Sequence, residues 1–341
     1  MIKKVRASVI ITSNNEERSI SSCLESLSRQ TYKNFEVIIV DSSRDNTGKI
    51  IEDFMKVSPF KLILIKEKMP EGIAAARNKG IKRASGNILI FADADCSFKK
   101  NWVRRIIASL RKENIGLIGG NDKVPTKSSS YTKSAGYVTN SFLTTLGKRG
   151  GKLVLGAYHP SGFNHATKKN VLLVAGKYNP IFKGRGEEKE LAIRIIKQGF
   201  KTKYVPDIEV IHEYAKNLKE FVKKTFYSGR ARIQISRIHP DILDLFYYGP
   251  LILLIFLLSF MVFSVILAFF GSIIKSNLVI NIYRLSAFIV VLYFLVILIN
   301  ATLYLKTEKN IKVVFYNIVN SVLLHMAYGL GIIYGLFKNN D

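Results

Sequence analysis

Asp93 and Asp95 stand one residue apart at the end of the apolar run Ile88–Ala92. Two carboxylates on a turn that leaves a strand can hold a hard divalent cation through oxygen. Mg2+ and Mn2+ prefer such ligands and take the remaining ones from phosphates. Asp41 closes another apolar run, Phe35–Val40, where a carboxylate can accept hydrogen bonds from a ribose or a base. Asp45, a few residues on, reads better as a helix cap. His212 follows the apolar run Tyr204–Ile211, where an imidazole is open to ligation or to simple packing. Cys96 beside Asp95 reads as a small buried residue. With only Cys23 as its companion, no CxxC pair or disulfide framework arises, and a reducing cytosolic setting is expected.

These carboxylates need a frame. Ala7–Thr12, Phe35–Val40, Leu62–Ile65 and Ile88–Ala92 are short runs rich in Ile and Val, the pattern of strands buried on both faces of a parallel sheet. Helical stretches Glu16–Arg29, Thr47–Val57 and Ile73–Ala84 lie between them, so the fold class is α/β, built from βαβ units. Ligands of such sheets bind at the carboxyl ends of the strands, where Thr12, Asp41, Asp93 and Asp95 fall. From Trp102 to about Pro180 the pattern weakens. Beyond it, Gly186–Gln198 reads as a helix, Tyr204–Ile211 as a strand and Asn217–Phe226 as an amphipathic helix.

The composition then changes. Leu245–Phe270, Leu285–Leu305 and Val313–Phe337 carry no charge over 26, 21 and 25 residues. A membrane-spanning helix needs about 20 apolar residues, so three spans are expected, at about 245–270, 281–305 and 313–337. Of 51 Lys/Arg and 25 Asp/Glu, 7 and 4 fall in Arg237–Asp341, leaving 44 and 21, a formal +23, on the first 236 residues. That field suits anionic partners. Between Tyr214 and Arg237, seven Lys/Arg face Glu220 alone. With the stripe Leu218, Phe221, Val222 and Phe226, residues 216–228 predict an interfacial helix on anionic membrane lipids. Loop cations place the N-terminal domain in the cytoplasm, at the cell membrane, and the C-terminus outside. Met1–Arg6 is basic, but Ala7–Thr12 is too short for a secretory core, so no signal peptide is expected.

Five motifs stand in a telling order: Val9–Glu17 (VIITSNNEE), Ile39–Ser43 (IVDSS), Gly72–Gly80 (GIAAARNKG), Phe91–Asp95 (FADAD), and Ser161–Asn164 with Gly186–Arg194. In that order the chain resembles the family 2 glycosyltransferases over about residues 5–235. The resemblance implies a GT-A fold, a Rossmann-like and mostly parallel sheet, for residues 1–236, ahead of an all-α membrane domain, 237–341. It implies a UDP- or GDP-sugar donor held by Thr12, Asn15, Glu16, Asp41, Arg77, Asn78 and Asp93. The metal, Mn2+ or Mg2+, would fall to Asp93, Asp95 and His212, and the acceptor to Asn164 and Glu187. Glu188 would be the base that deprotonates the acceptor hydroxyl, in the place where the family usually has Asp. The family's first motif usually has Pro where this chain has Thr12.

The function so implied is inverting transfer of one sugar to a hydroxyl of a lipid-linked glycan. One alternative is a polyprenyl- or dolichyl-phosphate sugar synthase, whose phosphate nucleophile needs no strong base. A processive synthase would carry a Gln/Arg-x-x-Arg-Trp motif, and the single tryptophan, Trp102, does not provide it. A membrane-tethered nucleic-acid-binding protein would fit the charge, but no nucleic-acid motif is present, and no nucleic-acid partner is expected.

Overall fold

The computed structural model describes residues 6–111, 114–145, 158–242, 245–270 and 276–338. The opening elements follow the Ile/Val runs: β1 (Ala7–Ser13), α1 (Ile20–Ser28), β2 (Phe35–Asp41), α2 (Thr47–Met55), β3 (Lys61–Lys66), α3 (Ile73–Arg83) and β4 (Ile88–Asp93). In the stretch where periodicity fades come β5 (Cys96–Phe98), α4 (Trp102–Leu110), β6 (Ile115–Lys123), α5 (Ser130–Asn140), the single turn α6 (Phe142–Thr145), β7 (His165–Lys168) and α7 (Lys169–Val174). Then follow α8 (Glu187–Lys197), β8 (Lys201–His212), α9 (Leu218–Ile238), α10 (Gly249–Phe270), α11 (Asn277–Leu303) and α12 (Ile311–Phe337).

The strands form one eight-stranded sheet in the order β3-β2-β1-β4-β7-β6-β8-β5. β3, β2, β1 and β4 run parallel, β7 is antiparallel to both neighbours, and β6 and β8 are again parallel. Successive side chains of a strand point to opposite faces, so each Ile/Val run feeds two cores. Val9, Ile11, Val37 and Ile39 pack with α1 and α4 residues such as Leu24 and Ile106. Ile10, Ile38, Leu89 and Phe91 pack with Ala74, Ile81, Leu172 and Leu191 on the other face. Glu36 is the polar exception inside β2. Burial opposes its charge, but hydrogen bonds from Ser85, Ser8 and Lys61 hold its carboxyl down to about 2.

The chain divides into two compact units, residues 1–128 with 145–214, and residues 129–144 with 215–341. The units part at 214/215, whereas the sequence reading placed its division at 236/237. The basic helix α9 groups with the apolar helices because it packs closely on α12. A Cβ on Gly229 would collide with the Tyr328 carbonyl, and one on Gly331 with that of Phe226. Small residues of this kind let two helix backbones approach. Asn217 caps α9 by accepting from the Glu220 amide at 3.0 Å. α5 joins the same unit through side-chain hydrogen bonds: Tyr131 donates to Asn320 at 3.1 Å, Tyr137 and Ser141 donate to Asn300 at 3.1 and 2.6 Å, and Asn320 donates to Ser134 at 2.9 Å. α10, α11 and α12 are each long and apolar enough to cross a membrane.

Candidate active site

The carboxyl ends of β1, β2 and β4 carry the expected residues side by side. Thr12 pairs in register with Asp93 and donates to its Oδ1 at 2.9 Å. Asp41 ends β2, is nearly buried, and accepts from the Ser43 hydroxyl at 2.5 Å. Asn15, at φ 60°, is held to the β2 loop: its amide donates to Ser43 Oγ at 2.7 Å and its Oδ1 accepts from the Arg44 amide at 2.9 Å. The Glu16 amide donates to Thr47 Oγ1 at 2.9 Å. Asn15 and Glu16 thus knit the loops after β1 and β2 together at the rim.

Arg77 changes role on inspection. Expected at the donor, its side chain is 1% exposed, and both terminal guanidinium nitrogens are engaged. It donates to Glu187 Oε1 at 2.6 Å, to the Gly162 carbonyl at 2.7 Å and to Asp93 Oδ1 at 3.3 Å. A buried guanidinium presents its donors as a planar fork, and here the fork ties the acidic turn after β4 to the head of α8. Asn78, also expected at the donor, has a partner within the protein. Its amide clamps the backbone of Tyr178 in both directions, at 2.8 and 3.1 Å. The same holds for Asn164, expected at the acceptor. It is fully buried, accepts from the Trp102 indole at 3.2 Å and donates to the carbonyls of Asn121 and Ile208 at 3.0 Å each. Glu187, the other expected acceptor contact, is buried against Arg77.

Glu187 and Glu188 open α8 after Gly186, whose φ of 98° lies in the left-handed region that suits glycine. The two carboxyls diverge in behaviour. Burial first, and then the Glu188 charge, push Glu187 up to about 8, with Arg77 offsetting part of the shift. Glu188 is half-buried, and burial opposes its charge, yet Lys189, backbone hydrogen bonding and Arg77 bring it below the ordinary glutamate value. The two environments thus pull apart, burial disfavouring the charge on Glu187 while Glu188 is favoured as the carboxylate, the state a general base needs.

His212 ends β8 opposite Cys96 of β5, and its Nε2 lies 3.4 Å from Asp95 Oδ2. The ring stacks on Phe163, centroids 3.8 Å apart. Burial lowers its basicity, but Asp95, with Asp122 and Asp93 behind it, carries the net shift upward. Among the described residues no three His, Cys, Asp or Glu side chains enclose a cation site. In donor chemistry, the carboxylates of Asp93 and Asp95 and the imidazole of His212 are groups that suit a divalent cation such as Mn2+. The buried Cys96 thiol is pushed well up by burial and by the Asp95 and Asp93 charges, so it is an inert filler.

Further side chains complete the surroundings of the site. Phe163 supplies the wall for His212, and the Tyr214 hydroxyl donates to Asp122. His165, fully buried between the Ser161 carbonyl and the Tyr178 hydroxyl, is pushed down to about 3 by burial and by Arg77, and stays neutral. Arg77→Met would leave the Glu187 carboxyl without its buried partner. It should cost about 3–5 kcal/mol of stability, read as a lower thermal midpoint in detergent, and adding Glu187→Met should recover part of the loss.

Comparison with known proteins fits this geometry. Residues 8–172 match the model of glycosyl transferase family 2. Glycosyltransferase AglE of Haloferax volcanii is 28% identical over 233 residues, 67% of this chain and 73% of that protein. A dolichyl N-acetyl-alpha-D-glucosaminyl phosphate 3-beta-D-2,3-diacetamido-2,3-dideoxy-beta-D-glucuronosyltransferase of Methanococcus voltae is 26% identical over 350 residues, 98% of each chain. Among solved structures, the mannosyltransferase PcManGT of Pyrobaculum calidifontis, in complex with GDP-Man and Mn2+, superposes with a TM-score of 0.64. At 15% identity, with 98% of this chain and 88% of that one covered, this likeness speaks for the GT-A fold. The chain is a glycosyltransferase with a GT-A unit, matched by the family 2 model over residues 8–172, followed by three apolar C-terminal helices.

Proposed function

We propose that the chain moves one sugar from a UDP- or GDP-sugar to a hydroxyl of a lipid-linked glycan at the cytoplasmic membrane face, inverting the anomeric carbon. The observation that carries this reading is the half-buried Glu188 carboxylate beside a Glu187 that Arg77 ties to Asp93. It gives a base of the right protonation state on the same rigid frame as the acidic turn. The acceptor hydroxyl would give its proton to Glu188 as its oxygen bonds to the anomeric carbon, and the bond to the nucleoside diphosphate breaks on the opposite side. A divalent cation, when bound, supplies positive charge against the diphosphate's growing negative charge. Asp93, Asp95 and His212 would hold it, and Asp41 would contact the nucleoside.

The Methanococcus voltae relative is named for a dolichyl-linked amino-sugar acceptor, which supports a sugar hydroxyl on a lipid carrier. The mannosyltransferase neighbour, solved with GDP-Man and Mn2+, supports the donor and the metal. The exposed Lys219 and Lys223 of α9 suit anionic lipid headgroups. A panel of nucleotide-sugars, offered to purified protein with either a glycan-bearing polyprenyl lipid or bare polyprenyl phosphate, tests the reading. Transfer should occur only to the glycan lipid, stop with EDTA, and return with Mn2+ or Mg2+. Transfer to bare polyprenyl phosphate alone would reverse the choice of acceptor.

A further inference from the structure

The second unit holds an arrangement that bears on which helices cross the bilayer, independently of the reaction proposed above. Counting loop cations places Arg237 on one face and Lys338, three spans later, on the other. In the structure the two residues meet. Arg237 donates to the backbone carbonyls of Lys338 and Leu336 at 2.9 and 3.0 Å, closing the C-terminal end of α12. Arg230 lies 5.7 Å from the centre of the Tyr334 ring, and Lys338 lies 5.6 Å from the same ring. Arg232 donates to the Tyr328 hydroxyl at 3.2 Å.

The C-terminal half of α12 is therefore lined by three arginines of α9. Were that half to reach the far leaflet, α9 would be drawn in with Arg230, Arg232 and Arg237, and charged side chains at bilayer depth are costly. The N-terminal half of α12 is bound just as firmly to a polar helix. Lys133 pairs with Glu308 at 2.8 Å, Asn310 donates to Ser130 at 3.1 Å, and α5 meets Asn320 through Tyr131 and Ser134. α5 enters and leaves from the strand-bearing chain, between β6 and β7. Polar helices thus accompany α12 from one end to the other.

The three apolar helices also differ in how much protein covers them. Only 6% of the most apolar window of α10 and 17% of that of α11 is buried, against 39% for α12. The apolar side chains that α12 leaves exposed are Ile311, Phe315, Leu330, Leu336 and Phe337, at 72, 65, 50, 53 and 86%, with Tyr334 at 39%. At 100° per residue these positions fall within one face about 160° wide. The opposite face carries buried Asn317, Asn320, Ser321 and Gly331. A helix with one apolar face, packed on its other side against the basic α9 and the polar α5, has the build of an interfacial helix.

We propose that the chain crosses the bilayer twice, by the α10–α11 hairpin alone. α12 then lies in the interface of a single leaflet, its apolar face in the acyl boundary and the cations of α9 at anionic headgroups. Lys338 accordingly sits on the same face as Arg237, which replaces the outside C-terminus expected from loop charges.

Cysteine labelling in cells decides this. Cys23 and Cys96 are buried, so the background is low. Lys56→Cys in the strand-bearing unit, Ser276→Cys between α10 and α11, and Lys338→Cys after α12 would each meet a membrane-impermeant maleimide before and after permeabilisation. Lys338→Cys should label under the same condition as Lys56→Cys, and Ser276→Cys under the opposite one. If Lys338→Cys sorts with Ser276→Cys, α12 spans the membrane and the proposal is wrong.

Discussion

Glu188→Gln should lower kcat by about 10²–10⁴-fold while leaving the KM for the nucleotide-sugar within a few-fold. The amide keeps the size and much of the polarity of the side chain but cannot take a proton. The loss should therefore appear in the chemical step and not in donor binding. The neighbour sharpens the test. Glu187 is pushed up to about 8 and Glu188 is held below the ordinary glutamate value, so the base stays charged as the pH falls into the carboxylate range. The acid limb of the kcat/KM profile should lie below the unperturbed glutamate value of about 4.3 and should vanish in the Gln variant. Glu188→Asp, one methylene shorter, keeps a carboxylate and should lose less than Gln. Unimpaired transfer by Glu188→Gln would remove the residue from the reaction.

Changing Asp93 and Asp95 together to Ala should reduce transfer by about 10³-fold or more, because the charge stabilisation a bound cation supplies is worth several kcal/mol and each 1.36 kcal/mol is a factor of ten. The same variant should lose any rise in thermal midpoint that Mn2+ gives the unaltered protein, a binding readout separate from turnover. His212→Ala should weaken that Mn2+ response to a smaller degree, since its Nε2 faces only the Asp95 side of the turn at 3.4 Å. Transfer at the normal rate by the double variant would undo the proposed role of the acidic turn.

Much of this framework could be read from one dimension. β1, β2 and β4 announce themselves because each is buried on both faces, which forces continuous Ile/Val runs. Asp41, Asp93 and Asp95 follow those runs directly, so their place at the strand ends needed no alignment. The partners of other expected site residues were not legible in this way. Asn78 pairs with the backbone 100 residues away, Arg77 with Glu187 at a separation of 110, and Asn164 with Trp102 at 62. No local spacing encodes such partners, and a polar side chain bound for the interior looks the same in sequence as one bound for a ligand. α9 is a milder case. Its charges marked it as basic and interfacial, but Gly229 and Gly331, which let it pack on α12, are unremarkable until their backbones are seen side by side.

The hydrogen bond from Tyr131 to Asn320 joins residues 189 positions apart. At 5–20 residues per second, a ribosome needs roughly 10–40 s to make that interval. α5 must spend that time with the polar groups meant for α12 still facing solvent. The α10–α11 hairpin is finished and can enter the membrane before α12 exists. Biogenesis therefore has a built-in order, anchor first and clasp last, and the newborn protein is most exposed to proteases and holding chaperones in the interval between them.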